Sequence, residues 1–296
     1  MSYVGARVEL GGLRLYGTDE SGCGWTVSSL EGVWDGVESS HAHSSLAWRD
    51  GWVSNRAHLG GRDITVTGLV TCPDDAAYLH ARQALLGAVP VSGARMLVTV
   101  DGVTLMYMVQ RAEAKPMIQP QAGLMVARYS IPLVSLSPYA FDAGEPLTGS
   151  TGLPSSSGGM RFPVVFSGGP PSVSGSGAVP WCFGERVVSG EVSLSNPGGA
   201  PSPVSLRVDG PVRDPRVEHL PSGGVLELRA GLGAGHFVVF DGVTRQVLVD
   251  GRDPARGAVV RRGWSDALPG LNVWRFSAEE HSPGARLSVS FRGAYL

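Results

Sequence analysis

The chain has 296 residues and a net charge of −2, with 43% apolar and 17% charged residues. That length suits one large domain or two ordinary ones, and so apolar a composition with so little charge excludes a disordered chain. Neither half carries the basic excess of a nucleic-acid footprint, so no specific nucleic-acid partner is expected.

The 42 Gly and 21 Pro make up about a fifth of the chain without a collagen period. They punctuate turns, which points to short strands in sandwiches or barrels rather than to helical bundles. Of the 24 basic residues only Lys115 is lysine. A GC-rich genome accounts for that bias, against selection for bidentate Arg pairs at interfaces. Cys23, Cys72 and Cys182 are odd in number and lack C-x-x-C spacing, which argues against a disulfide framework or a zinc site. Cys182, between Trp181 and Phe183, reads as a small buried hydrophobe, and folding in a reducing cytoplasm is expected. Met1–Leu10 lacks a basic-then-apolar signal pattern. No apolar run approaches the roughly 20 residues of a membrane span, so membrane insertion is not expected.

Along the chain, Arg7-Val8-Glu9-Leu10 alternates as a strand does, and so does Ile64-Thr65-Val66-Thr67 leading into Leu69-Val70. The segment from Trp34 to His58 is a long, Trp-bearing loop, and long loops in compact domains are usually functional. A helix is predicted from Pro73 to Gly87, with Pro73 at its first position, Asp74 and Asp75 at the positive end of its dipole, Ala76, Leu79 and Leu86 on an apolar stripe, and Gly87 as its cap. Val98–Val100 and Val103–Leu105 flank Asp101-Gly102, a type I′ hairpin signal. Arg128–Leu136 alternates, with Tyr129, Ile131 and Leu133 on one face.

Composition changes at Phe141–Gly159. The Gly/Ser/Pro run there predicts a linker at 148–159 between a first domain, 1–147, and a second, 160–296. Beyond it the pattern is β only: Phe162–Phe166, Val204–Val208, Leu226–Arg229, Leu287–Phe291, and a second Asp-Gly hairpin in which Asp241-Gly242 joins Phe237–Phe240 to Val243–Val249. Such spacing suggests a two-sheet sandwich. The fold expected is mainly β: an α+β first domain, then an all-β one.

Chemistry is hard to find. His41, His43 and His58 could meet on a zinc ion, but the Ser-rich surroundings read as a polar surface loop. Asp74/Asp75 and Glu279/Glu280 are adjacent pairs, whereas hydrolytic carboxylates face each other from separated positions. Gly231-Leu232-Gly233-Ala234-Gly235 leads into the strand-like His236–Phe240, not the helix a dinucleotide loop needs. Catalytic, cofactor and metal residues are therefore none, and no enzyme activity is expected. Trp48 and Trp52 flank Arg49-Asp50-Gly51 at a loop tip, where they either anchor the loop locally or grip a sugar or a partner surface. With Trp34 they are the candidate interface residues.

The order of these features resembles the distal tail proteins of long-tailed bacteriophages. Gly61-Arg62-Asp63-Ile64-Thr65-Val66-Thr67-Gly68 is similar to that family's Gly-Arg-x-Ile strand, Asp74–Leu86 to its helix and Met96–Val109 to its hairpin. Ser135–Phe141, with Pro138-Tyr139, resembles the close of its first domain, although Ser137 stands where Asp is usual. Phe162-Pro163-Val164-Val165-Phe166, the turn Asn196-Pro197-Gly198, Trp264 through Leu268-Pro269-Gly270-Leu271-Asn272 (one residue short between Leu and Pro) and the closing strand Arg292–Tyr295 resemble its galectin-like sandwich.

The resemblance implies a tail-tube-like first domain with one helix, followed by a galectin-like sandwich. It implies a structural virion protein of the tail tip, assembled in the host cytoplasm as a ring of six copies. The ring would join the tail tube to the tail-tip hub, leave a channel for DNA, and carry receptor-binding proteins on the second domains. The alternative is a carbohydrate-binding module on the second sandwich. A galectin-type site would cluster His, Asn and Arg beside a Trp, and His219, Arg229 and His236 are scattered in sequence.

Overall fold

The computed structural model describes residues 6–54, 57–121, 125–157, 186–255 and 257–296. The expected strand Phe162–Phe166, and Cys182 with its aromatic neighbours, lie outside the described residues. The chain is mainly β, as expected, with the helix Asp75–Gly87. It divides into two units. The first comprises the described residues through Glu145 with Gly198–Ala200 and Arg292–Leu296; the second comprises those of Pro146–Pro197 and Pro201–Phe291.

The first unit is one long antiparallel sheet in the order Leu13–Arg14, Arg7–Leu10, Ala94–Val100, Val103–Arg111, Val126–Ser135, Arg62–Thr71, Gly24–Glu31, Gly17–Thr18. The alternation that predicted its strands is the alternation of burial: Ile64, Val66 and Val70 point inward, as do Tyr129, Ile131 and Leu133. Val103–Arg111 meets Val126–Ser135 only through Val109–Arg111. Both halves of the sheet contribute to one core, which the helix also joins. The Trp25 and Tyr129 rings pack at a tilt within it, their centroids 5.5 Å apart. A Cβ at Gly68 would collide with the Thr26 carbonyl and the Tyr129 phenol, which explains a glycine in mid-strand. Asp101 and Gly102 both take positive φ, as the hairpin signal requires.

The helix departs from expectation in its details. Asp74 is the N-cap and accepts from the Ala77 amide at 2.7 Å, so Pro73 precedes the helix. The buried stripe is Ala77, Ala81 and Leu85, spaced four apart, while Ala76 and Leu79 face outward. Small alanines, not the larger Leu79, let the helix lie close to the sheet. Gly87 is the last helical residue rather than a left-handed cap, and Arg111 donates to the carbonyls of Leu86 and Val89 at that end.

The second unit is a two-sheet sandwich. One sheet runs Leu147–Gly152, Arg286–Phe291, Ser205–Asp209, Phe237–Asp241, Gln246–Val249, Asp253–Pro254; the other runs Glu191–Asn196, Gly270–Ser277, Arg216–His219, Gly224–Leu228, Val259–Arg262. Leu206, Val208, Phe240, Leu287 and Val289 from the first pack with Val217, Leu226, Trp274 and Phe276 from the second.

The linker expectation is corrected at its start: Leu147–Gly152 is a strand paired along its length with Arg286–Phe291. Its glycine serves close packing, because a Cβ at Gly149 would lie 2.7 Å from Val192 Cγ1. The second Asp-Gly hairpin forms with a different turn. Asp241 pairs with Gln246 across Gly242–Arg245, Arg245 takes the positive φ, and the Asp241 carboxylate accepts from Val243 N and Thr244 Oγ1. The last residues leave the sandwich: Ala294–Tyr295 pairs with Ala140–Phe141, and Arg292 donates to the carbonyls of Asp142 and Gly144 in the first unit.

Candidate assembly interface

The paired strands Gly24–Glu31 and Arg62–Thr71 of the first unit are joined by a 32–61 excursion, and its base is anchored by buried polar contacts. Arg62 occupies an inward position of its strand, 4% exposed, where alternation calls for an apolar side chain. Its guanidinium donates to the carbonyls of Gly32 (2.8 Å), Val33 (3.1 Å) and Asp35 (2.8 Å) on one side. On the other it donates to the Pro138 carbonyl from Nε (3.4 Å) and Nη2 (3.2 Å). A planar fork of five donors suits such a ring of acceptors better than an ammonium does. The buried phenol of Tyr107 adds a bond to Val33 O at 3.2 Å. Burial pushes this phenol up, and the nearby Arg62 charge opposes the shift. Gly32 has φ 77°, and a Cβ there would strike the Asp63 carbonyl, so the chain can leave the sheet at that point only through glycine.

Beyond this anchor the chain forms a hairpin arm. Ser39–Ser40 pairs with His58–Leu59, and His43–Ser45 with Trp52–Ser54. Gly60 N donates to Glu38 O at 2.8 Å at the base, and Leu46 N to Gly51 O at 3.1 Å at the tip. Every residue from Glu38 to Leu59 whose burial is described is exposed. Trp48, at φ 61°, is fully exposed at 105%. Trp52 is 69% exposed and stacks on the His43 ring at 4.0 Å and 3°. Val53, Leu46 and Leu59 add exposed apolar surface.

Of the sequence candidates, Trp48 and Trp52 thus belong to the outer arm, while Trp34, 42% exposed, lies beside the anchored Val33. Anchoring of Trp48 or Trp52 in a local core does not occur. His43 is engaged by Trp52, its ring is 5.8 Å from that of His41, and His58 lies on the basal ladder. Arg62 and Tyr107 were not singled out as functional from sequence. The available signal was a charged residue at an inward position of an alternating strand.

In the second unit the sheet brings His219 to Asn272 and Trp274, which lie on one strand more than 50 residues further on, but inside the core. His219 is 1% exposed, Asn272 0% and Trp274 1%. His219 Nε2 meets Asn272 Oδ1 at 2.9 Å and Nδ1 meets Ser222 Oγ at 2.7 Å. Asn272 Oδ1 also accepts from Leu268 N, and its Nδ2 donates to the carbonyls of Leu268 and Gly270. The carbonyl oxygen of Asn272 makes Nε2 the protonated nitrogen of a neutral imidazole, with the Ser222 hydroxyl donating to Nδ1. Burial pulls His219 down, and the Asn272 bond only partly opposes it. The cluster holds the turn before strand Gly270–Ser277 and is closed to a saccharide. Glu279 and Glu280 both meet Arg213, at 3.3 and 3.5 Å, as an exposed ion-pair group. A cavity of about 180 Å³ lined by Arg245, Gln246, Arg262 and Trp264 is below the size of ordinary ligand pockets.

The chain matches no family model and no curated protein sequence. Among solved structures it is similar to the Dit (gp 19.1) protein of phage SPP1, described as a paradigm of the hub adsorption apparatus in Gram-positive-infecting phages. The TM-score is 0.63 at 10% identity, over 98% of this chain and 99% of that one. A chain of the phage p2 baseplate in its activated conformation aligns at a TM-score of 0.47 and 7% identity, over 97% of each chain. The SPP1 likeness, end to end and through both units, is a likeness of fold.

Proposed function

We propose that this chain is a structural protein of a phage tail tip. Copies of it close into a ring, six by the family resemblance, that joins the tail tube to the tip hub and its receptor-binding proteins. It works by assembly, without catalysis or a cofactor. The observation that carries this reading is the full-length likeness of fold to the SPP1 hub protein. The arm supports it physically. An isolated two-stranded hairpin is marginal in water, and this one exposes two tryptophans on a base fixed by Arg62. A closed ring needs a head-to-tail contact between unlike surfaces. An arm reaching from one copy onto the first unit of the next provides one, with Trp48 and Trp52 as its buried anchors. The second sandwich faces the receptor-binding proteins. A passage for DNA must not grip its cargo, and a chain of net charge −2 has no basic excess to do so.

Gold-labelled antibody against the chain should mark the tail tips of the particles that carry it. Label on the capsid, or purified particles without the chain, would overturn the reading.

A further inference from the structure

Cys23 and Cys72 sit one step beyond the last register pair, Gly24↔Thr71, of the two strands that carry the arm, and so lie opposite each other. Their backbones bond elsewhere: Cys23 N to Asp19 Oδ1 and Cys23 O to Asp19 N, Cys72 N to Met125 O. Theirs is therefore a non-hydrogen-bonded pair, the kind whose Cα atoms approach to about 4.5 Å, within the range a disulfide spans. The sulfurs are 3.0 Å apart, 0% and 4% exposed by residue. A bond of ~2.05 Å needs them to close by only about 1 Å. Cys23 Sγ also lies 3.5 Å from the Ala77 carbonyl in the first turn of the helix. Two opposed thiols beneath a helix start have no polar partner beyond that carbonyl and each other among the described contacts.

We propose that Cys23 and Cys72 are an oxidisable pair that forms one intramolecular disulfide, stapling the strands from which the arm springs. The oxidant is a peroxide. One sulfur attacks it and becomes a sulfenic acid, releasing water. The second thiol then displaces hydroxide from that sulfur, forming the Sγ–Sγ bond and a second water. Two electrons pass from the sulfurs to the peroxide, and both thiol protons leave in water. Burial, with the Cys23 thiol adding to it, pushes Cys72 up to about 12. The Cys72 thiolate is therefore scarce in the folded chain, and its oxidation there is slow. The bond would close a loop of about 50 residues that contains the whole arm, limiting the unfolded chain. If the chain works in a particle, as proposed above, it folds in a reducing compartment and serves in an oxidising one, where such bonds persist.

The test uses the purified full chain with Cys182→Ser, so that only this pair reports. After hydrogen peroxide, the denatured monomer should show no free thiol and a mass lower by two hydrogens. A single cross-linked Cys23–Cys72 peptide should appear, with a Tm raised by several degrees and restored by dithiothreitol. Cys23→Ser in the same background should give neither the mass loss nor the Tm gain. If that variant fails to fold, the mass and peptide readouts on the intact pair still decide. Two thiols left free, oxygen added to sulfur without a cross-link, or disulfide-linked dimers would each overturn the proposal. The experiment needs no ring, so its failure would leave the assembly reading standing.

Discussion

At the scale of single residues, the most consequential side chain is Arg62. Its guanidinium satisfies four carbonyls at the root of the arm, and nothing smaller reaches both sides. Removing it leaves buried acceptors without donors, so Arg62→Ala should lower stability by about 2–4 kcal/mol in urea unfolding. Arg62→Lys should recover little, because an ammonium cannot fork. His219 gives a pH prediction. Its folded-state pKa is lowered by burial below its unfolded value of ~6.5, so the unfolded chain takes up the proton first. Stability is complete above pH ~6.5 and is lost as pH falls below that. The Tm of the second unit should drop from pH 7 to 5, and His219→Gln should flatten the slope; an unchanged slope would show that another group titrates. Neither residue was legible from sequence as a functional position. The alternation from Ile64 to Val70 located the strand but said nothing of Arg62, whose partners come from segments 30 and 76 residues away.

At the scale of elements, what was legible is what local chemistry fixes. Alternation located the long strands, and Asp101-Gly102 specified its own turn because both residues can adopt positive φ. The same dipeptide at Asp241-Gly242 built a longer turn, since the Asp241 carboxylate caps local donors instead. The Gly/Ser run after Pro146 looked like linker because small residues serve flexible chains and tightly packed strands alike. Here Leu147–Gly152 is a strand, and Gly149→Val should destabilise the second unit by roughly 1–3 kcal/mol or more by forcing Val192 aside. The helix cap makes a smaller test: Asp74→Ala should cost about 1 kcal/mol. Deleting Arg292–Leu296 removes the partner of Ala140–Phe141, so it should lower the stability of the first unit although the cut lies at the far end of the sequence. Loss of stability confined to the second unit would contradict that assignment.

At the scale of the whole molecule, the central claim is that the arm is completed by another copy. Among the described residues nothing buries Trp48 or Trp52, and the arm's ladders are only two and three residue pairs long. Residues 198–200 and 292–296 belong to the first unit although the second unit's residues surround or precede them in the sequence. Sequence could locate the loop, but not its hairpin form, because its ladders are only two and three residues long and Ser-rich. The direct measurement is the mass of the full chain in solution, by mass photometry with negative-stain imaging. The comparison is a variant in which residues 41–57 are replaced by Asn-Gly, so that the hairpin closes at Ser40 and His58. The account predicts rings of six times 30.9 kDa for the full chain and folded monomers for the variant. Rings that persist without the arm, or a full chain that stays monomeric at high concentration, would contradict it.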